Sequence, residues 1–438
     1  MNRAAFLPTL LVAACFTLAS CGSSGPKIAL PPSGLTTRVL ASQSVSSPTA
    51  PPGLLIIDGA NDTRARGGIS AGNSPGLMTV APDRATLLSF DSFSNSVDVI
   101  NTEKETQSGA FGLGGSTTSM IALSTGYAYA AVPSVPFTAG ASPGAVVVMN
   151  YLTGGIAAII GVPNAQTVVA SPDETQLLVF GGDPQLTHAL TVMSPLLVNT
   201  GSQVTTTVTG FDSPVFAVFS ADSSTAYVLN CGAQCLGTQA SVQTLDMATL
   251  TVGAPIPVNG ATVAFLSGST LYVAGKGTPT GPLCASIASA AATQAQYCGT
   301  LDLVDLTTLQ DPYYNNPASE IAITDGYHNR IDLSNNGQLF VGSYGCTNIG
   351  NVGNPQGEVR GCLSIFNTTN GTVVIPPDNG DVTGLQSFTT RDVEYVAEGG
   401  TLRVYDTLID ALLENSINPT GTITTTGKII DVKAIDFF

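Results

Sequence analysis

Short apolar runs alternate with polar punctuation along almost the whole chain. Within each run the apolar positions recur every second residue, the period of a half-buried strand. The unit is clearest over residues 74–101, where apolar runs reach Val80 and Phe90 on either side of Pro82 and Asp83. A third run, through Val97, Val99 and Ile100, closes on Asn101. Proline fixes φ and aspartate caps its own backbone, so the Pro-Asp pair predicts a tight turn. The unit reads strand, turn, strand, polar loop, strand.

The ending of that last strand returns at Asp58, Asn101, Asn150, Ser194, Asp246, Asp305, Asn367 and Asp406, at steps of 39 to 62 residues. The turn returns at residues 81–83, 171–173, 220–222 and 334–337, each followed by a β-rich run. Roughly four strands per 40 to 60 residues is the spacing of propeller blades. A β-sandwich demands no such fixed order. The expected fold is therefore all-β, a single β-propeller of four-stranded antiparallel blades. Seven first strands begin near Gly76, Thr118, Gln166, Val215, Thr262, Arg330 and Thr383. The two chain ends supply an eighth, split blade: residues 37–41, 53–58 and 65–71 as strands two to four, and residues 428–438 as strand one. Pairing the N- and C-terminal strands removes two exposed edges. The count is eight blades, or seven if the N-terminal set is a loose extension.

On these residues, from Pro82 to Thr102 above all, the repeat resembles the YVTN family of β-propeller repeats. That unit has a Pro-Asp-Gly turn, a Leu-Tyr-Val-Ala-Asn strand and a Val-x-Val-Ile-Asp strand. Here Arg84 and Glu174 replace the glycine, and several blades carry insertions. The resemblance spans nearly all of residues 37–438 and implies a fold rather than an activity.

Composition narrows the setting. The chain has 438 residues with 14 Lys and Arg against 30 Asp and Glu, a formal charge of −16. Such a balance repels phosphate backbones and argues against nucleic-acid binding. The N-terminus carries Arg3, a short apolar run from Phe6 to Leu18, then Ala19, Ser20 and Cys21. The run is too short to span a bilayer, which needs about 20 apolar residues. It resembles the lipobox of bacterial lipoproteins, which implies cleavage before a lipidated Cys21 and localisation in the cell envelope. Gly22 in place of aspartate favours, by that resemblance, the outer membrane of a cell that has one. The expected organisation is a signal peptide over residues 1–20, a Gly/Ser/Pro tether over residues 21–36, and the propeller over residues 37–438. The membrane is then touched through the lipid anchor alone, by a monomer.

Six cysteines remain after Cys15 and Cys21: Cys231, Cys235, Cys284, Cys298, Cys346 and Cys362. An even number in an exported chain predicts disulfides, and their spacing suggests three local pairs. All six fall in loops between strands two and three of consecutive blades. Alternation of four antiparallel strands puts these loops on the same face as the connections from strand four to the next strand one. Residues 275–299 and 343–361 are the longest such loops, and long loops in a compact repeat are often functional.

Candidate binding residues on that face are His188, Tyr327, His328, Arg330 and Tyr344. An arginine there offers an anion donor, and a histidine a base that titrates near neutrality. His328 is read as part of a four-to-one connection over residues 325–330. No catalytic triad order, phosphate loop or metal-ligand spacing is present, so no catalytic residue, metal or cofactor is assigned. Tyr127, Tyr129, Tyr227, Tyr272 and Tyr395 sit in second strands and read as blade-to-blade packing. Tryptophan is absent, and with it the docking motifs of quinoprotein propellers. The leading expectation is a binding or scaffold module for a protein or extracellular polymer. The alternative is a lactonase-like hydrolase with its site at the channel mouth on the same face.

Overall fold

Each copy of the repeat folds into one antiparallel sheet. The computed structural model describes residues 30–44, 52–136, 142–181, 188–198, 204–277, 299–316, 319–346, 349–350, 359–376, 380–414, 418 and 420–435. Within the clearest copy, strands Pro75–Val80, Thr86–Asp91, Ser96–Asn101 and Thr106–Gly112 pair in chain order. The punctuating side chains act as caps. Asp83 accepts from the Ala85 amide at 3.0 Å, and Asn101 from the Lys104 amide at 2.7 Å. Asp58, Asn150, Asp246, Asp305, Asn367 and Asp406 cap their turns in the same way. Arg84, Glu174 and Ser223 take the left-handed conformation, with φ of 57°, 58° and 61°. This is the position at which the YVTN unit carries glycine.

Eight such sheets form a ring. We number the split sheet as blade 1 and the rest in chain order, with first strands Pro75–Val80, Ser119–Ala122, Ala165–Ala170, Pro214–Phe219, Val263–Ser267, Tyr327–Leu333 and Val382–Ser387 for blades 2 to 8. Neighbouring first strands touch one another around the whole ring and enclose the central channel. Helix is confined, among the described residues, to the single turns Pro195–Leu197 and Gly232–Cys235.

The chain ends close the ring. Lys428–Ala434 pairs antiparallel with Arg38–Ser44, from Ser44 opposite Lys428 to Val39 opposite Ala434. This sheet continues through Gly53–Asp58 and Thr63–Ile69. Val39, Ile57, Phe388, Tyr395, Val404 and Ile429 fill the seam between blades 8 and 1, each such burial being worth about 1.5–3 kcal/mol. A buried clasp reinforces the seam: Arg391 meets Asp62 through two 2.7 Å contacts, and the Tyr395 hydroxyl donates to the same carboxylate. Tyr129, Tyr272 and Tyr395 are buried in their second strands, whereas Tyr127 and Tyr227 are half-buried.

Six first strands share one irregularity. The ladder to the second strand slips beside Gly76, Gln166, Val215, Asn329, Thr383 and Ile430. A bulge bends a strand and re-aims the extra residue. All six lie early in the first strand, so they ring the channel mouth on the face that also carries the two-to-three loops.

Candidate functional site

At that mouth, the first strands of blades 7, 8, 1 and 2 border a cavity of about 440 Å³. Arg330 is its sole basic lining residue among those described, with Tyr344, Asn329 and Asp381 beside it. Hydroxyls come from Ser44, Ser74, Ser92, Thr117, Thr118 and Thr383, and the floor includes Leu77 and Ile430.

The local sequence fixes these groups. Gly326 has φ of 97°, and a Cβ there would fall 2.7 Å from the Tyr344 carbonyl oxygen, so the entry to blade 7 requires glycine. Tyr327 and Tyr344 then pair across adjacent strands with ring centroids 5.3 Å apart. Burial pushes the Tyr327 phenol up to about 12, while Tyr344 stays 44 % exposed at the rim. The Arg330 guanidinium donates from Nε to the Thr383 carbonyl at 2.7 Å and from Nη1 to the Asn329 carbonyl at 2.9 Å. It is thus held across the seam of blades 7 and 8. Asp381 accepts from the Gly345 amide at 2.8 Å, which ties the braced loop of blade 7 to blade 8. The Asn329 Oδ1 is enclosed with no hydrogen-bond partner.

The two histidines diverge from each other. His328 lies in strand Tyr327–Leu333 rather than in a connection, and it is fully buried. The bulge at Asn329 extends the strand back past Arg330, which turns the imidazole into the wall. Its Nε2 sits 2.7 Å from the Thr324 carbonyl oxygen and so carries the proton; burial pushes its pKa down to about 4. His188 is exposed on the two-to-three loop of blade 4, with Nδ1 3.0 Å from the Phe211 carbonyl oxygen. The fold therefore gathers Tyr327, Arg330 and Tyr344, keeps His328 behind them, and leaves His188 away from the cavity. Asn329, Asp381 and Thr383 were not singled out from sequence; their shared signal is position, at or just before the start of a first strand.

The disulfides Cys231–Cys235 and Cys346–Cys362 form in the expected loops of blades 5 and 7. Cys284, Cys298 and Cys21 lie outside the described residues. Among the described residues, no group of three His, Cys, Asp or Glu side chains is placed to hold a metal ion.

No protein-family model and no curated protein matches this chain. Solved structures do resemble it. The dihydro-heme d1 dehydrogenase NirN has a TM-score of 0.56 at 12 % identity, covering 92 % of this chain and 76 % of its own. A Bacteroides fragilis protein provisionally assigned as a 6-phosphogluconolactonase has a TM-score of 0.50 at 13 % identity, covering 91 % and 97 %. Hydrazine synthase of Kuenenia stuttgartiensis has a TM-score of 0.47 at 12 % identity, covering 83 % and 86 %. The first two likenesses establish a β-propeller. At these identities they transfer no chemistry.

Proposed function

We propose that this chain is an exported, lipid-anchored propeller of the YVTN type that binds a hydroxyl-rich extracellular polymer, or a protein, at its loop face. The observation that carries this reading is the cavity at the channel mouth. Its hydroxyls, the fixed Arg330 guanidinium and the exposed Tyr344 ring suit a ligand that both donates and accepts hydrogen bonds.

The path of the chain supports an outward-facing site. Ser33 donates to Glu105 from its amide at 2.7 Å and from its hydroxyl at 2.6 Å, and Arg38 meets Glu105 at 2.9 Å. Glu105 lies in a three-to-four turn, on the face opposite the disulfides. A tether from Cys21 then reaches the propeller on its turn face, so the braced loops point away from the anchoring membrane.

A lactonase-like hydrolase would need a base at the mouth. The buried, singly bonded imidazole of His328 is poorly suited to that role. Titration of the full-length protein with soluble cell-envelope polysaccharide fragments tests the proposal: Arg330→Gln and Tyr344→Ala are expected to weaken binding about tenfold or more. Lactone hydrolysis that disappears in His188→Ala or His328→Ala would replace it with the hydrolase.

A further inference from the structure

The turn face carries a cavity of its own, about 810 Å³, between blades 4, 5 and 6. Phe216, Val218, Phe265 and Leu266 line it from two adjacent first strands, with Tyr227 behind them. All five are half-buried, packed on one side against the cores between neighbouring blades, while Ala217 and Ala264 of the same strands border the cavity and are buried. Ring packing alone does not cover this apolar wall.

Its rim is acidic. The lining residues Pro172, Ala221 and Leu306 are each next in sequence to an aspartate: Asp173, Asp222 and Asp305. Each of these carboxylates caps its own turn. Asp222 accepts from the Ser220 hydroxyl at 2.6 Å and the Ser224 amide at 3.1 Å, mainly through one oxygen. Such hydrogen bonds hold all three carboxyls below the usual range, so they are ionised near neutrality. Glu174 and Asp246 lie in turns of this face as well, and the one Lys or Arg among residues 165–323, Lys276, ends a second strand on the opposite face.

We propose that this cavity is a docking site for a basic amphipathic helix, its apolar side chains seated against Phe216 and Phe265 and its Lys or Arg side chains paired with Asp173, Asp222 and Asp305. An apolar groove read by large side chains at helical spacing is a known recognition mode. Charge selects the occupant: an anionic bilayer surface attracts basic segments and is repelled by this rim, and an acidic peptide is repelled in the same way. The site is independent of the loop face and of the function proposed for it.

The full-length protein and a synthetic Leu/Lys amphipathic helix with one Trp on its apolar side provide the test. The chain has no tryptophan, so emission excited beyond the absorption band of its tyrosines belongs to the peptide alone. The expected result is saturable binding with a blue shift, weakened at least tenfold by the triple change Asp173→Asn, Asp222→Asn, Asp305→Asn, which keeps the capping oxygens. Phe265→Ala is expected to weaken binding to a similar degree. Val218→Thr, of nearly equal shape, is expected to weaken it several-fold and serves if Phe265→Ala misfolds. Equal binding of a Leu/Glu helix or of a Lys-rich peptide without leucine would overturn the proposal, as would unchanged affinity in the triple variant.

Discussion

The carboxylate of Asp431 accepts a hydrogen bond from the Met78 amide at 2.8 Å, linking residues 353 positions apart. It also takes the Val432 amide at 2.9 Å and the Lys433 ammonium at 3.1 Å. The last strand is thus fastened to blade 2 as well as to blade 1. Asp431→Ala orphans a buried amide and a lysine, and it is expected to cost about 2–4 kcal/mol in denaturant unfolding. Removal of residues 428–438 exposes two strand edges and is expected to lower Tm markedly. An unchanged Tm would contradict closure by this strand.

Glu394 sets a stability slope above acid pH. Its carboxyl is fully buried, with Asp332 beside it. Burial, with the Asp332 charge in support, raises its pKa well above 4.5. The folded protein keeps this group neutral. Its contribution is present in full below the ordinary glutamate pKa and fades as pH rises toward the raised folded value. Glu394→Gln removes that loss. Chemical unfolding is expected to show the variant more stable than wild type at pH 8, by about 1–3 kcal/mol, with little difference at pH 4.

His328 works in the opposite direction. Its neutral form is the folded form, with a pKa pushed down to about 4 from 6.5. Its contribution is complete above pH 6.5 and is lost as pH falls toward 4, on the order of 3 kcal/mol. A variant with a non-titrating side chain, His328→Gln, is expected to show a flatter stability profile over that interval. A slope equal to wild type would mean that the imidazole is not buried neutral.

The disulfides differ in what they close. Cys346–Cys362 spans 16 residues and Cys231–Cys235 spans 4. Loop-closure entropy predicts about 3 kcal/mol for the first and about 2 kcal/mol for the second. Paired serine substitutions, followed by urea unfolding, are expected to reproduce that order. Mass mapping that finds the four thiols free would remove the bracing altogether.

Much of the ring was legible because its punctuation is chemical. The capping role of Asp58, Asp246 and Asp406 and the turn at Asp83 depend on local side-chain reach, which sequence carries directly. The split blade was legible for a similar reason, since residues 37–71 lack a first strand and residues 428–438 are one without a partner. His328 was misplaced because Asp325-Gly326 looks like the last turn before a strand starting at Arg330, whereas the bulge at Asn329 absorbs the extra residue. The site itself was only half visible. Arg330 and Tyr344 flank long loops, but Asp381, Thr383 and Ile430 meet them only through the packing of successive blades, and Leu77 only through ring closure, and no local pattern announces that.

The most direct measurement is calorimetric titration of the full-length protein with envelope polysaccharide fragments, comparing wild type, Arg330→Gln and the turn-face change Asp222→Asn. The account predicts that Arg330→Gln alone weakens binding, by about tenfold or more. Binding that survives Arg330→Gln unchanged, or that fails in Asp222→Asn instead, would contradict a site at the channel mouth of the loop face.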